Sequence, residues 1–351
     1  MNVASVILAA GQGTRMRSKL PKVLHPLGGQ PMILYAVNLA MQFTSQPPVL
    51  VVGLGANLVQ SQVGACARYV LQEQRLGTGH AVLQARDELQ GRADAILVLY
   101  GDMPLLTPPT LSNLMDVFAT HAPAVAMVTL EVAPGADTMG FGRIVRDEQG
   151  RVVAIVEEAV ATAEQQAIRE LNCGVYCFRG VWLWDHLIRL QVGGRGEYLL
   201  TDLVAMAASE GESVLTVPPD QPSDVLGIND RIQLARAEAI LRRRINDELM
   251  RGGVTLIDPR STYVETGVKV APDTVIYPNT YLLGDTSVGD DCILGPNTLL
   301  RNTTVGPRCR IVASTLEDSA VGADVTIGPY SHLRGGARID SGVHIGNFGE
   351  V

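Results

Sequence analysis

Aromatic residues make up only 5% of this 351-residue chain, and just two are tryptophan. A core poor in rings must be filled by Val, Ile, Leu and Ala, as in α/β layers and stacked repeats. Positive charge is also short. The formal net charge is −8, which argues against a nucleic-acid partner, because such a partner needs a basic face. No uncharged apolar run approaches the length of a membrane span. The apolar N-terminus lacks a basic region ahead of it and is interrupted by Gly11, so it does not read as a signal peptide. The five cysteines, Cys66, Cys173, Cys177, Cys292 and Cys309, show no paired zinc spacing. An odd number without a framework points to reduced thiols and a cytoplasmic location. The length allows two domains.

One stretch carries most of the chemistry: Leu8-Ala9-Ala10-Gly11-Gln12-Gly13-Thr14-Arg15-Met16, with Pro21-Lys22 just behind. It follows the apolar run 3–8, which reads as a buried strand. Gly11 and Gly13, lacking Cβ, let the backbone turn sharply and come close to a ligand. Successive N–H groups in such a turn form a concave anion site, and Arg15 and Lys22 add positive charge. The pattern predicts a phosphate cradle for a nucleotide. It is not a P-loop, which needs Lys then Ser/Thr where Thr14-Arg15 stand, nor a dinucleotide fingerprint, whose third glycine is replaced by Met16.

Strand-like runs at 3–8, 49–52, 95–99, 125–131, 152–157 and 174–178 alternate with helix-like segments such as 32–41 and 79–88. The alternation predicts a mostly parallel sheet covered on both faces, with ligands at the carboxyl ends of its strands. Asp102 lies at such an end, as a candidate metal ligand or a turn cap. Residues 230–251 read as one long helix, with Leu234, Leu241, Ile245 and Leu249 as its apolar stripe. Arg242-Arg243-Arg244 read as a solvated face, Asn229 as a helix N-cap, and Gly252-Gly253 as the stop.

Beyond the helix the pattern changes. Val270, Ile276, Leu282, Val288, Leu294 and Leu300 recur every six residues. After irregular steps at Val305, Ile311 and Leu316 the period resumes at Val321, Ile327, Leu333, Ile339 and Ile345. A six-residue period means one short strand and one turn per repeat, with each aliphatic stacked on its equivalent in the next coil. This resembles the hexapeptide repeats of left-handed parallel β-helices, which in known families usually assemble as trimers.

The chain as a whole resembles a bifunctional bacterial enzyme family that joins an N-acetylglucosamine-1-phosphate uridyltransferase to a glucosamine-1-phosphate acetyltransferase. The resemblance rests on the glycine stretch, on Leu20-Pro21-Lys22-Val23-Leu24, Leu76-Gly77-Thr78-Gly79-His80-Ala81, Tyr100-Gly101-Asp102-Met103-Pro104-Leu105, Gly142-Arg143-Ile144 and Asn229. It implies an α/β fold: a Rossmann-like nucleotidyltransferase domain over residues 1–228, a linker helix over 229–252 and a partial left-handed β-helix over 253–351. It implies Mg²⁺-dependent transfer of UMP from UTP to N-acetylglucosamine-1-phosphate. The products are UDP-N-acetylglucosamine, a cell-envelope and peptidoglycan precursor, and pyrophosphate.

The implied site residues follow motif by motif. Arg15 and Lys22 would neutralise phosphate charge as the catalytic cations, while Leu8, Ala9, Ala10 and Gly11 line the nucleoside. Gln72, Gly77 and Thr78 would read uracil, and Tyr100, Gly101 and Asp102 would sit beside the nucleotide. Mg²⁺ would lie between Asp102 and Asn229, since that ion takes few protein ligands. Gly142, Glu157 and Asn172 would contact the N-acetylhexosamine, with glycine making room. The nucleophile is a phosphate already ionised at neutral pH, so His80 reads as structural.

The chain departs from the family at Arg75, where Gln is usual, at Cys173 for Thr, at Gly335 for Pro and at Gly349 for Val. In the family the β-helix continues further and completes the acetyltransferase site, of which Arg334 matches one position, so acetyltransferase activity is not expected. Two other readings stay open: a nucleotidyltransferase for another sugar-1-phosphate, of the glucose-1-phosphate class, and a non-catalytic nucleotide-sensing assembly subunit.

Overall fold

A computed structural model describes residues 1–193 and 196–351. The chain divides into two compact units, residues 1–25 with 31–234, and residues 26–30 with 235–351.

The first unit is built on a nine-stranded sheet: β1 (Val3–Ala9), β2 (Val49–Val52), β3 (Arg68–Leu71), β4 (Ala95–Tyr100), β5 (Val125–Glu131), β6 (Arg143–Arg146), β7 (Val152–Val156), β8 (Glu170–Arg179) and β9 (Val214–Val217). Its main order is β9-β5-β8-β4-β1-β2-β3. Only β8 runs antiparallel within that path, against β4 and β5, while β6 and β7 form an antiparallel annex. The central strands β1 and β4 are almost wholly apolar, with Ser5 the buried polar exception in β1, because both faces are covered. Ile7 and Leu97 face α1 (Ile33–Met41) and α3 (Pro108–His121) in one core cluster. Val6 and Ile96 face α2 (Thr78–Leu83) and the helix Gly180–Leu187 in the other.

Strand order reverses at β1, which has β2 on one side and β4 on the other. A ligand crevice belongs at the carboxyl ends flanking such a switch point. Register then does the rest: Leu8 pairs with Tyr100, and Gly101 N–H donates to the Leu8 carbonyl at 3.0 Å. The glycine turn and Asp102 leave the sheet side by side.

Two helix expectations change in detail. The segment 79–88 is not one helix, because α2 ends at Leu83 and a separate turn of helix, Arg86–Leu89, follows. The strands at 68–71, 143–146 and 214–217 and the helices Pro108–His121, Gly180–Leu187 and Asp202–Ser209 had no clear signal in the sequence pattern.

Helix α4 (Arg231–Arg251) forms as expected, but its buried positions are Ala237 and Asn246, while Leu234, Leu241, Ile245 and Leu249 are half-buried. Ile245 and Leu249 pack on the apolar core of the second unit. The arginine run is not simply solvated, because the Arg242 guanidinium lies 4.5 Å from the Tyr263 ring centroid. Asn229 is not the cap either. Asp230 is: its Oδ1 accepts from Gln233 N at 2.8 Å, and the Gln233 side chain reaches back to Asn229 N at 2.7 Å.

The second unit is a left-handed parallel β-helix with three sheets of stacked short strands. Ile276, Leu294, Ile311, Ile327 and Ile345 form one interior column, and Leu282, Leu300, Leu316 and Leu333 another. The irregular steps are absorbed in shortened corners: Val305 still pairs with Val288, and Leu316 with Leu300. Buried Thr and Ser line the corners and donate to backbone carbonyls of the next coil, as Thr274 does to Gly289 at 2.9 Å. Among the described residues no helix is long and apolar enough to cross a membrane.

Candidate active site

Two cavities open at the carboxyl ends of β1 and β4. The smaller, about 300 Å³, is lined by Leu8, Ala9, Ala10, Gly11, Lys22, Gln72, Arg75, Gly77 and Thr78. The larger, about 760 Å³, is lined by Gly142, Glu157, Asn172, Thr201 and Asn229. Thr78, Tyr100 and Asp102 belong to both walls. The sequence-derived nucleotide and sugar residues thus fall into separate compartments that meet at Asp102.

The junction holds a cation supplied by the chain. Lys22 Nζ donates to Asp102 Oδ2 and, at 3.1 Å, to Asn229 Oδ1. Its backbone stands on the turn Lys22–Leu24, anchored by buried Val23 and Leu24. Asn229 reaches Asp102 because Ile228 N–H donates to the Asp102 carbonyl at 2.9 Å. Further back, the buried Asp224 carboxylate accepts from Thr110 Oγ1 at 2.6 Å, fixing the preceding turn to α3.

On the nucleotide side, Gln72 is buried and donates to the Gly77 carbonyl at 3.1 Å. His80 touches Gln72 through Nδ1 at 3.0 Å and Gln84 through Nε2 at 3.2 Å, so it orients the amide rather than facing the cavity. Gly77 has φ +103°, and a Cβ there would lie 2.4 Å from the Tyr198 carbonyl, which explains the glycine.

On the sugar side, Glu157 Oε1 accepts from Thr201 Oγ1 at 3.0 Å. Asn172 Oδ1 accepts from Tyr176 Oη at 2.9 Å and Gly174 N at 3.2 Å, which commits the oxygen and turns the amide NH₂ to other acceptors. Burial, followed by the Asp102 and Glu157 carboxylates, pushes the Tyr100 hydroxyl well above its ordinary pKa. It stays neutral and can donate a hydrogen bond. Burial also raises the Cys173 thiol, so it does not supply a thiolate nucleophile.

Three expected residues sit differently. Arg15 is exposed on the turn Thr14–Met16 and lines neither cavity. Gly101 also lines neither, and a Cβ there would lie 2.4 Å from Ile33 Cδ1, so its role is packing. The space left by Gly142 faces Ile155 Cγ2, at 2.9 Å from an added Cβ, rather than opening room for a ligand. Thr201, Glu197 and Leu199 line the cavities without having been singled out, because no spacing rule ties them to the earlier motifs.

Asp102 and Asn229 present one carboxylate and one carbonyl-type oxygen, a hard-donor pair that already converges on a cation. They fit a divalent ion that takes its remaining ligands from phosphate and water. Among the described residues no three His, Cys, Asp or Glu side chains gather as a metal cluster.

Comparison with known proteins identifies the family. The family described as MobA-like NTP transferase domain matches residues 5–171, and bacterial transferase hexapeptide repeats match 267–302. "Bifunctional protein GlmU" of Halalkalibacterium halodurans is 45% identical over 100% of this chain and 76% of its own length. The protein of the same name from Brevibacillus brevis is 45% identical over 99% of this chain and 75% of its own. A crystal structure of UDP-glucose pyrophosphorylase complexed with UDP-glucose superposes with a TM-score of 0.57, covering 70% of this chain and 100% of that one. At 18% identity it shares the fold. The chain is a nucleotidyltransferase, a uridylyltransferase of UDP-N-acetylglucosamine synthesis, and its reaction calls for a divalent metal ion and for nucleotide and sugar-phosphate substrates. With both the nucleotide-transferase fold and the hexapeptide coil in place, the chain belongs to the family of bifunctional GlmU proteins.

Proposed function

We propose that the smaller cavity takes the uridine end of UTP, the larger takes N-acetylglucosamine-1-phosphate, and that Asp102 and Asn229 would hold Mg²⁺. The carrying observation is that these two side chains, far apart in sequence, converge on one cation where both cavities meet. A phosphate oxygen of the sugar attacks the α-phosphorus of UTP and pyrophosphate leaves. Such transfer depends on positioning and charge neutralisation rather than on a protein nucleophile.

The Gln72 amide, oriented by His80, reads the base. Backbone from Leu8 to Gly11 lines the nucleoside, and Lys22 neutralises phosphate oxygens, with Arg15, exposed on the glycine turn outside both cavities, as a second cation. Glu157 and Asn172 hold sugar hydroxyl and acetamido groups, with Gly142 shaping the wall beside them. Mg²⁺, when bound, supplies charge neutralisation on the triphosphate. The transferase domain is read as residues 1–228, and the β-helix as the surface of a homotrimer in the cytoplasm, serving peptidoglycan precursor synthesis.

The test is a panel of sugar-1-phosphates with UTP and Mg²⁺, read by pyrophosphate release. Selective turnover of N-acetylglucosamine-1-phosphate is expected, and equal or faster turnover of glucose-1-phosphate would sink the substrate assignment.

A further inference from the structure

The proposed metal ligands are already bridged by an ammonium. Lys22 Nζ bonds Asp102 Oδ2 and Asn229 Oδ1 together, with side-chain exposures of only 11% for Lys22 and 18% for Asp102. An ammonium and a divalent ion cannot both sit between these two oxygens, since like charges repel strongly at such range, most of all where little water intervenes.

The lysine is built to move only at its tip. Its backbone is pinned by buried Val23 and Leu24 and by Gly13, where an added Cβ would lie 2.5 Å from Lys22 Cβ. The four-carbon stem is a flexible carrier of a compact point charge. Lys22 also lines the smaller cavity with Ala10 and Gly11, so rotation of the stem carries Nζ toward phosphate oxygens without backbone change.

We infer that Lys22 is an internal counter-ion that closes the divalent-cation site of the nucleotide-free protein, and that a bound triphosphate opens the site by drawing the ammonium onto its own oxygens. The inference rests on the reading of Asp102 and Asn229 as metal ligands. It makes metal and nucleotide binding mutually dependent. Any ligand that removes the ammonium lowers the cost of admitting the ion, and linkage makes the effect reciprocal. It also gives Lys22 two partners in sequence: the Asp102 carboxylate before substrate arrives and phosphate afterwards. The half-buried carboxylate then faces a cation in both states, the ammonium first and the divalent ion afterwards.

The test uses the full chain without nucleotide and Mn²⁺ alone as probe, with free Mn²⁺ read by its electron paramagnetic resonance signal. Lys22→Met and Lys22→Gln both remove the charge while keeping a stem of similar length. Each is expected to bind Mn²⁺ about tenfold or more tightly than the wild type, within the usual range of coupling between sites. Lys22→Met combined with Asp102→Asn is expected to lose that gain. Equal Mn²⁺ affinity in wild type and both Lys22 variants, with Asp102→Asn still weakening it, would overturn the counter-ion role and leave the metal site standing. Mn²⁺ binding indifferent to Asp102→Asn in every background would overturn the metal site itself, and the inference with it.

Discussion

Ile228 hands its backbone N–H to the carbonyl oxygen of Asp102 at 2.9 Å. That single main-chain bond joins the end of the first β1–β4 half of the site to the entry of α4, and it sets Asn229 next to the Asp102 side chain. The Asn229 side chain is free for this duty because capping of α4 falls to Asp230. The division of labour between three consecutive residues, Ile228, Asn229 and Asp230, leads to the first two predictions.

Asp102→Asn keeps the shape of the site and removes the carboxylate that meets Lys22 at the junction. Metal-dependent pyrophosphate release should fall by about 10²–10³-fold, the scale of losing one preorganised electrostatic group. Steady-state assays at saturating UTP check it, and unchanged turnover would remove Asp102 from the metal site.

Asn229→Ala and Asp230→Ala should separate function from folding. Asp230→Ala costs about 0.5–2 kcal/mol through the lost cap and lowers the melting temperature. Asn229→Ala leaves that cap in place, so its melting temperature holds while the metal concentration for half-maximal rate rises. Calorimetry with a metal titration checks both, and equal loss of stability in the two variants would contradict the assignment.

His80→Ala should raise KM for UTP with a smaller effect on kcat, because it frees the Gln72 amide that it orients. One such hydrogen bond is worth about 0.5–1.5 kcal/mol, or roughly 2–10-fold in KM. His80→Asn, which keeps a polar partner, should recover part of the loss. A pure kcat defect would point to a different role.

Glu170 stands two residues before Asn172 on β8. Burial pushes its carboxyl up, but hydrogen bonds from Arg146 and Thr129 and the Arg146 charge outweigh this and hold it below the usual carboxylate range. A depressed folded pKa means stability that is present above the unfolded pKa, about 4.3, and lost as pH falls through the folded value. Glu170→Gln should therefore be less stable than wild type at neutral pH, with the gap closing below about pH 4. Urea midpoints across pH check it, and a gap that widens on acidification would refute the sign.

The readable parts of the sequence were those with a local cause. The strand before Gly11, apolar except for Ser5, and the unbroken apolar strand before Asp102 announce themselves, and the six-residue aliphatic period announces the β-helix even through its shortened corners. Strands β3, β6 and β9 were silent because they lie toward the edges or in the annex, half-buried, with no clean run or alternation. Glu157 is indistinguishable from its neighbour Glu158 in sequence, and only the fold gives it Thr201 as a partner. Arg15 carries the same charge as Lys22 in the same motif, yet the turn leaves it exposed outside both cavities.

The sequence by itself determined the two architectures and the placement of the glycine turn and Asp102 at strand ends, because these follow from local periodicity and from residues that turn or extend the backbone. Only the tertiary structure decided which cation stands between Asp102 and Asn229, which residue caps α4, and which wall each cavity residue forms. Those depend on strand order and register, which bring residues 22, 102 and 229 within hydrogen-bond reach of one another, and no local pattern in the chain encodes such distances.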